Sequence, residues 1–491
     1  MKKLIHDNKI IIILLMLFII LQPFLDMKIL FEDKNLMIKG ITIPTIIRTL
    51  FISIIGCILF IRSNNKKEKI GIIIYFLLVV IYTIIHHLVC KRSIDIPSNF
   101  TYSFITESFY IIRMLLPLAL IYITKHSKIS KDSFFDVILY SSMIIGIVIV
   151  VSNTFLLLYT SYESEIFTVR ASWIDWIFGN ISQYKFEELT SKGWFYLANQ
   201  VAGLSMLLLP FCIYALLKKV RISNLIATIS LTFSMIILGT RTSAYGFILV
   251  YILLLVSNVL LYKLKFIKEI NIKSMVVAIV IFVGFILLLL IAPIRFREQA
   301  SNRKPAVLPP ELTENYDVYD YIKEYYSYYE INEKYIENYY PYTYDYILWL
   351  DIFDKSKERI LDNRDIELLI SNRIMSKNND LSHELFGYSF SRMRNGYIYI
   401  EKDFLVQKFT VGTIGTFILI APYFIYMISL VVKRIKKKRI SLSLITFIVS
   451  MCAVFGSSIF TGHILDELFV MLYVGFIIGF YLINGGKKYE S

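Results

Sequence analysis

Apolar runs of about twenty residues recur along the chain, separated by short polar stretches rich in lysine and arginine. A run of that length suffices for a helix to cross the apolar layer of a bilayer. Lipid offers backbone N–H and C=O groups no partner, so a crossing segment must satisfy them within its own helix. The pattern predicts twelve helices, at 10–30, 41–61, 70–89, 109–124, 134–158, 194–217, 222–239, 243–262, 274–293, 405–431, 440–460 and 464–484. One such run would fit a buried soluble helix equally well. Twelve in one chain point to an all-α polytopic membrane protein.

The polar breaks alternate in charge. Every second loop is basic: Lys66, Lys67 and Lys69; Lys125, Lys128 and Lys131; Lys218, Lys219 and Arg221; Lys263, Lys265, Lys268 and Lys273; "KRIKKKR" at 433–439; Lys487 and Lys488. Basic loops mark the cytoplasmic side, so both termini are expected in the cytoplasm. The first apolar run follows Met1-Lys2-Lys3 and lacks a small-residue cleavage site, which predicts a retained helix rather than a cleaved leader.

Two outer connections break the rhythm. One, at 159–193, is modest. The other, at 294–404, is long enough for a small domain, giving helices 1–9 in 1–293, an extracytoplasmic loop domain in 294–404, and helices 10–12 with a cytoplasmic tail in 405–491. The long segment opens irregularly with "RFREQASNRKPAVLPP". It continues through a tract dense in tyrosine and acid, 316–346, and then a stretch with helical apolar spacing at 354–376, through Ile360, Leu361, Leu368, Leu369 and Ile374. Two readings fit the tyrosines: a surface resting at the membrane interface, or a face that stacks on sugar rings. No internal repeat stands out.

Composition agrees with the pattern. Of 491 residues 56% are hydrophobic, and mean hydropathy is +0.62. The net charge of +14 sits in short loops, which excludes a nucleic-acid surface. Cys57, Cys90, Cys212 and Cys452 lie in or beside apolar runs, with neither metal spacing nor a disulfide framework, and read as packing residues.

The topology gathers scattered charges into one outer layer. Arg48 falls about two turns inside helix 2 and Arg113 about one turn inside helix 4. Arg241, in "LGTRTSAYG" at 238–246, stands at the junction of helices 7 and 8. Asn199 and Gln200 lie near the outer end of helix 6, and His463, Asp466 and Glu467 begin helix 12. Ionisable residues inside membrane segments are costly and point to function. Three arginines at one depth suit an anion, and a planar fork of donors suits phosphate. The plainer alternatives are snorkelling of Arg48 and Arg113, a hairpin end at Arg241, and helix-dipole partners at Asp466 and Glu467.

These features together resemble the O-antigen ligase and bacterial polysaccharide polymerase family. The resemblance rests on the long outer loop, on "GTRTS", on "GWFYLANQVAGLSMLLLP" (193–210) with Asn199 as its polar residue, and on "EKDFLVQKFTVGTIG" (401–415) with Gly412 and Gly415. Glu401 falls where many members carry the histidine of a His-Asn pair, a departure that leans toward the polymerase-type members over a strict lipopolysaccharide ligase. The resemblance implies a glycosyltransferase of the bacterial plasma (inner) membrane, active in cell-surface polysaccharide synthesis (capsule, O-antigen-like or teichuronic-type). Its donor would be a polyprenyl-diphosphate-linked oligosaccharide and its acceptor a sugar hydroxyl on another glycan. Polysaccharide-export and chain-length proteins are the partners it implies, besides the bilayer.

Such a transfer needs a group to stabilise the departing diphosphate and a base for the attacking hydroxyl. Arg241, Arg113 and Arg48 are the diphosphate candidates, and they would act without a metal or other cofactor. Asn199 and Asp466 are candidate donor or acceptor contacts. Glu401 is the first candidate base by its position before helix 10, Asp403 the second and His383 the third; Glu401 and Asp403 fit a helix cap equally. The competing function is a flippase or transporter of lipid-linked glycans, which would need charges lining a path through both leaflets.

Overall fold

A computed structural model describes residues 8–38, 41–93, 101–162, 168–179, 181, 183–295, 305, 308–313, 317–333, 335–336, 345–378, 380–395 and 400–483. Met1–Lys3, the Lys487-Lys488 tail, most of "RFREQASNRKPAVLPP" and part of the tyrosine tract lie outside them.

The described chain is mostly helical, with one two-stranded ribbon pairing Met37–Ile38 with Ile41–Thr42. Among the described residues nine helices are long and apolar enough to cross a membrane: Ile43–Arg62, Lys66–Cys90, Phe104–Ser127, Lys131–Thr154, Ala198–Lys218, Arg241–Lys263, Ile272–Leu289, Asp403–Lys436 and Leu442–Phe460. Three further apolar runs form shorter helices, Asn8–Ile20, Ile222–Ile237 and Leu468–Ile483.

Several ends differ from expectation. The first helix stops at Ile20 and turns run through Asp26, where the apolar run suggested helix to residue 30. The helix carrying Arg113 begins at Phe104, five residues before the expected start, so Arg113 lies more than two turns inside it. The last helix begins at Leu468, so His463, Asp466 and Glu467 belong to the non-helical stretch before it. The stretch at 354–376 is two helices, Tyr346–Glu358 and Asn363–Lys377. Asp362 divides them: its side chain accepts from Asp365 N–H at 3.0 Å and Asp365 returns a bond to Asp362 N–H, a capping box that starts a new helix.

The chain packs as two compact units. One comprises 1–66, 113–296 and 422–491; the other comprises 67–112 and 297–421, and takes in nearly all of the expected outer segment. In the first unit Ala198–Lys218 is the central helix. From Ala198 to Leu217 only Asn199 and Ala215 escape full burial, because Lys131–Thr154, Ile222–Ile237, Arg241–Lys263, Leu442–Phe460 and Leu468–Ile483 all pack on it. Lys131–Thr154 runs tightly along Ile222–Ile237. An alanine Cβ at Gly146 would come within 2.5 Å of the Ser230 backbone, so the two helices approach as closely as glycine permits.

In the second unit the outer segment has its own core. Tyr321, Tyr325, Tyr329 and Tyr335 are buried with Trp349, Ile352 and Phe353, and Ile366, Ile370 and Ile374 supply a stripe at four-residue spacing. These tyrosines serve neither the interface nor a sugar face; Tyr319, Tyr328 and Tyr346 remain exposed. The Tyr335 hydroxyl donates to Glu367 at 2.8 Å, which satisfies its buried polar end. The helix Asp403–Lys436 kinks at Gly412, whose φ of 72° an L side chain rarely adopts. The kink lets Gly387 approach: a Cβ there would meet the Thr410 carbonyl oxygen at 2.4 Å.

Candidate functional site

The first unit buries a cluster of charges. It is built where the Asn8–Ile20 helix unwinds. Gln22 stays on the helix end by donating from Nε2 to the Phe18 carbonyl at 2.9 Å, and its Oε1 accepts from Arg48 Nε at 2.8 Å. The chain then meets the segment before the central helix as a short antiparallel ladder. Met27 pairs with Phe195, Lys28 N–H donates to Trp194 C=O at 2.8 Å, and Tyr196 N–H donates to Asp26 C=O at 3.0 Å. That ladder places Asp26 at the head of the central helix, where Gln200 Nε2 donates to its Oδ1 at 3.1 Å.

Arg48 is 1% exposed and Asp26 is fully buried. Asp26 and Glu467 are the carboxylates whose charge acts most on Arg48. Arg113 joins from its own helix: its Nη2 donates to the Asp466 carbonyl at 2.8 Å and lies 3.6 Å from Glu467 Oε2. Burying a charge without a partner costs several kcal/mol; Glu467 stands beside the Arg113 guanidinium, and Gln22 holds that of Arg48. Yet the pairing is incomplete. Arg48 Nη2, Arg113 Nε, Asp26 Oδ2, Gln200 Oε1 and Asp466 Oδ1 are buried and have no hydrogen-bond partner among the described residues. His463 takes a left-handed backbone, φ 65°, and its ring, Asp466 and Glu467 bring one donor atom each within 4.8 Å of one another.

Of the residues singled out from sequence, Arg48, Arg113 and Asp466 fall in this cluster, and Asn199 lies beside Gln200 in the first turn of the central helix. Arg241 has a different setting. In "GTRTS", Gly239 adopts φ 63° after the Ile222–Ile237 helix, and the Thr240 hydroxyl caps the next by accepting from Ser243 N–H at 3.2 Å. Arg241 is the exposed first residue of that helix. The junction leans on the 159–193 connection, where Ser191 N–H donates to Ile237 C=O at 3.1 Å.

The candidate bases lie in the second unit. Glu401 is half-buried and engaged by the Arg364 guanidinium. Asp403 is 1% exposed and starts the kinked helix, a position that complements the helix dipole. His383 is 3% exposed and makes a chain of three groups. Its Nδ1 lies 2.9 Å from Asp380 Oδ2, its Nε2 lies 2.8 Å from the Ser93 hydroxyl, and its ring stacks on Tyr388. Asp380 also caps the Leu381–Phe386 helix through His383 N–H at 2.8 Å. The Ser382 hydroxyl, that N–H and the imidazole together hold the Asp380 carboxyl down to about 2.

Residues 8–487 match the family model of the O-antigen ligase-like membrane proteins. The chain belongs to that family. No curated protein and no solved structure matches it. Membership in the O-antigen ligase-like family fits a multi-pass membrane protein and suggests a membrane enzyme that transfers glycans.

This O-antigen ligase-like chain also carries buried polar residues that the sequence reading passed over. Glu107 is fully buried in the Phe104–Ser127 helix and accepts from His86 Nε2 (2.9 Å), Ser389 Oγ (2.8 Å), Phe390 N–H (2.9 Å) and Ser391 N–H (2.9 Å). His86 Nδ1 meets the Phe386 carbonyl at 2.5 Å, so both ring nitrogens face acceptors and both donate. Arg392 reaches the carbonyl of Cys90 at the end of the Lys66–Cys90 helix. The signal was a carboxylate at the edge of an apolar run; setting that run to begin at 109 left Glu107 outside it. Asp26 carried the same signal inside the first run.

Proposed function

We propose that this O-antigen ligase-like protein is an outward-facing glycan polymerase or ligase. It moves a glycan from a polyprenyl diphosphate to a sugar hydroxyl during cell-surface polysaccharide synthesis. The observation that carries the reading is the Arg48–Arg113 cluster, in which the buried Arg48 and the half-buried Arg113 each keep a buried N–H donor that no described residue satisfies. Buried donors of that kind suit an anion that arrives with the substrate. Attack by the acceptor oxygen on the anomeric carbon breaks its bond to the diphosphate, and the electron pair leaves on that diphosphate. Arg48 and Arg113 stabilise the charge that develops there.

The acceptor proton goes to a base. Among Glu401, Asp403 and His383, the geometry supports His383 best. Within the second unit a carboxylate lies 2.9 Å from one ring nitrogen and a hydroxyl meets the other, a setting from which an imidazole can take a hydroxyl proton. Ser93 holds the place on Nε2 that an acceptor hydroxyl takes over.

Transfer assayed with purified lipid-linked donor tests the reading. Arg48→Lys keeps the charge but loses the fork, and is expected to slow transfer about 100-fold. Undiminished transfer by both Arg48→Lys and Arg113→Lys, at normal protein level, sinks the diphosphate assignment.

A further inference from the structure

We infer that the basic turn at 433–439 and the apolar helix face leading into it hold an anionic phospholipid, with its phosphate on the turn and its acyl chains along the helix. The site lies in the first unit, shares no residue with the charge cluster, and does not rest on the transfer reading.

The first ground is uncompensated charge. Six of the seven residues of "KRIKKKR" are basic, and the chain has no Asp or Glu between Asp403 and Asp466. Lys433, Lys436, Lys437 and Lys438 are exposed. A ring of cations with no acid in the adjoining chain suits a phosphate.

The second ground is a fixed turn. A loop that only marks topology needs charge and no particular shape. Here the helix ends at Lys436, Lys438 takes a left-handed backbone, φ 53°, and the chain folds back. Lys438 N–H donates to the Ile435 carbonyl at 2.8 Å, and Arg439 N–H donates to the Arg434 carbonyl at 2.9 Å. Backbone groups thus close the helix end, which leaves the cationic side chains other work. Arg439 is half-buried, and its Nη1 is buried with no hydrogen-bond partner among the described residues. Such a donor calls for an oxygen acceptor. The next helix, Leu442–Phe460, starts three residues on, and its positive end adds to the turn.

Depth and surface supply the third. From Thr413, past the kink, to Lys436 the helix runs about 36 Å at about 1.5 Å per residue, against about 30 Å for the apolar layer. Its last turn therefore reaches the layer of phosphates. Ile425, Ile428, Val432 and Ile435 are exposed at three- and four-residue spacing and lead to Lys436. Apolar stripe followed by cations repeats the order of a phospholipid, chains followed by phosphate. A small phosphate would leave the stripe bare, and a zwitterionic lipid carries its own cation and gains less from the turn.

The test is native mass spectrometry of the full-length protein in detergent, titrated with phosphatidylglycerol or with phosphatidylcholine of equal chain length. The wild type is expected to retain phosphatidylglycerol at least about tenfold better, by a margin that shrinks as salt rises. Lys436→Gln with Lys437→Gln, and separately Arg439→Gln, should cut that preference about tenfold. Lys263→Gln with Lys265→Gln, in another basic loop of the first unit, should leave it unchanged. Thermal unfolding in phosphatidylcholine checks that each variant is folded; if Arg439→Gln is not, the exposed lysine pair decides. No preference in the wild type, a preference untouched in the 433–439 variants, or an equal loss in the 263–265 control overturns the site. Displacement of phosphatidylglycerol by glycerol 1-phosphate at equal concentration overturns the lipid and assigns the turn to a small phosphate.

Discussion

At the scale of single residues, three side chains compete for one role. Glu401 lies under Arg364, and Asp403 sits at a helix start, where a carboxylate has a structural reason to be. Of the three, His383 has a carboxylate close to one ring nitrogen and a hydroxyl on the other. His383→Gln should therefore lower transfer by about 10²–10⁴-fold, while Glu401→Gln leaves most of it. The reverse pattern would return the role to Glu401. Arg48 and Arg113 stood out in the sequence because a charge inside an apolar run is conspicuous. Ser93 was invisible, because only folding brings a residue 290 positions away within reach of the imidazole; Asp380, three residues before His383, read only as a local helix start.

At the scale of elements, the outer segment depends on a tie that its apolar spacing does not reveal. Asp345 caps the Tyr346–Glu358 helix through Leu348 N–H. It also takes Arg373 Nε at 2.6 Å and Lys377 Nζ at 2.8 Å from the next helix. Burial pushes its carboxyl up, but Arg373 and Lys377 outweigh burial and hold it below the usual range. The charged form is thus favoured in the folded state. Its contribution is complete above the unfolded value of about 3.9 and is lost as pH falls through the lower folded value. Protection against amide exchange across 345–377 should fall as pH drops below about 4. Asp345→Asn should destabilise the pair of helices by about 1–2 kcal/mol at neutral pH, the partners' partial exposure limiting the loss. Equal protection in both proteins at neutral pH would show the tie to be idle. The break between these helices was missed for a local reason: apolar spacing runs through 360–361, and only the paired Asp362 and Asp365 mark a fresh start.

For the whole molecule, the alternation of apolar runs with basic loops carried most of what could be read. The long helices follow the apolar runs, since length and hydropathy are local properties. Helix ends were less legible where tertiary partners decide them, as at Asp26, which unwinds to pair with 194–196. The proposed topology of twelve crossings, cytoplasmic termini and an outer 294–404 segment remains open to a direct check. In a cysteine-free background, Asp320→Cys should react with an impermeant thiol reagent in intact cells and Lys436→Cys should not. Labelling of Lys436→Cys would reverse the orientation.

Glu107 has a consequence for the making of the protein. Its serine partner lies 282 residues further along the chain. At about 5–20 residues per second, a ribosome needs roughly 14–56 s to cover that distance. Through that interval the new helix must reside in the membrane without the three donors supplied by 389–391. Among the described partners of Glu107, His86 is the one already synthesised. The His86–Glu107 contact thus comes first in time and acts as a holding state, and the later segment completes a shell whose centre has been waiting in the bilayer.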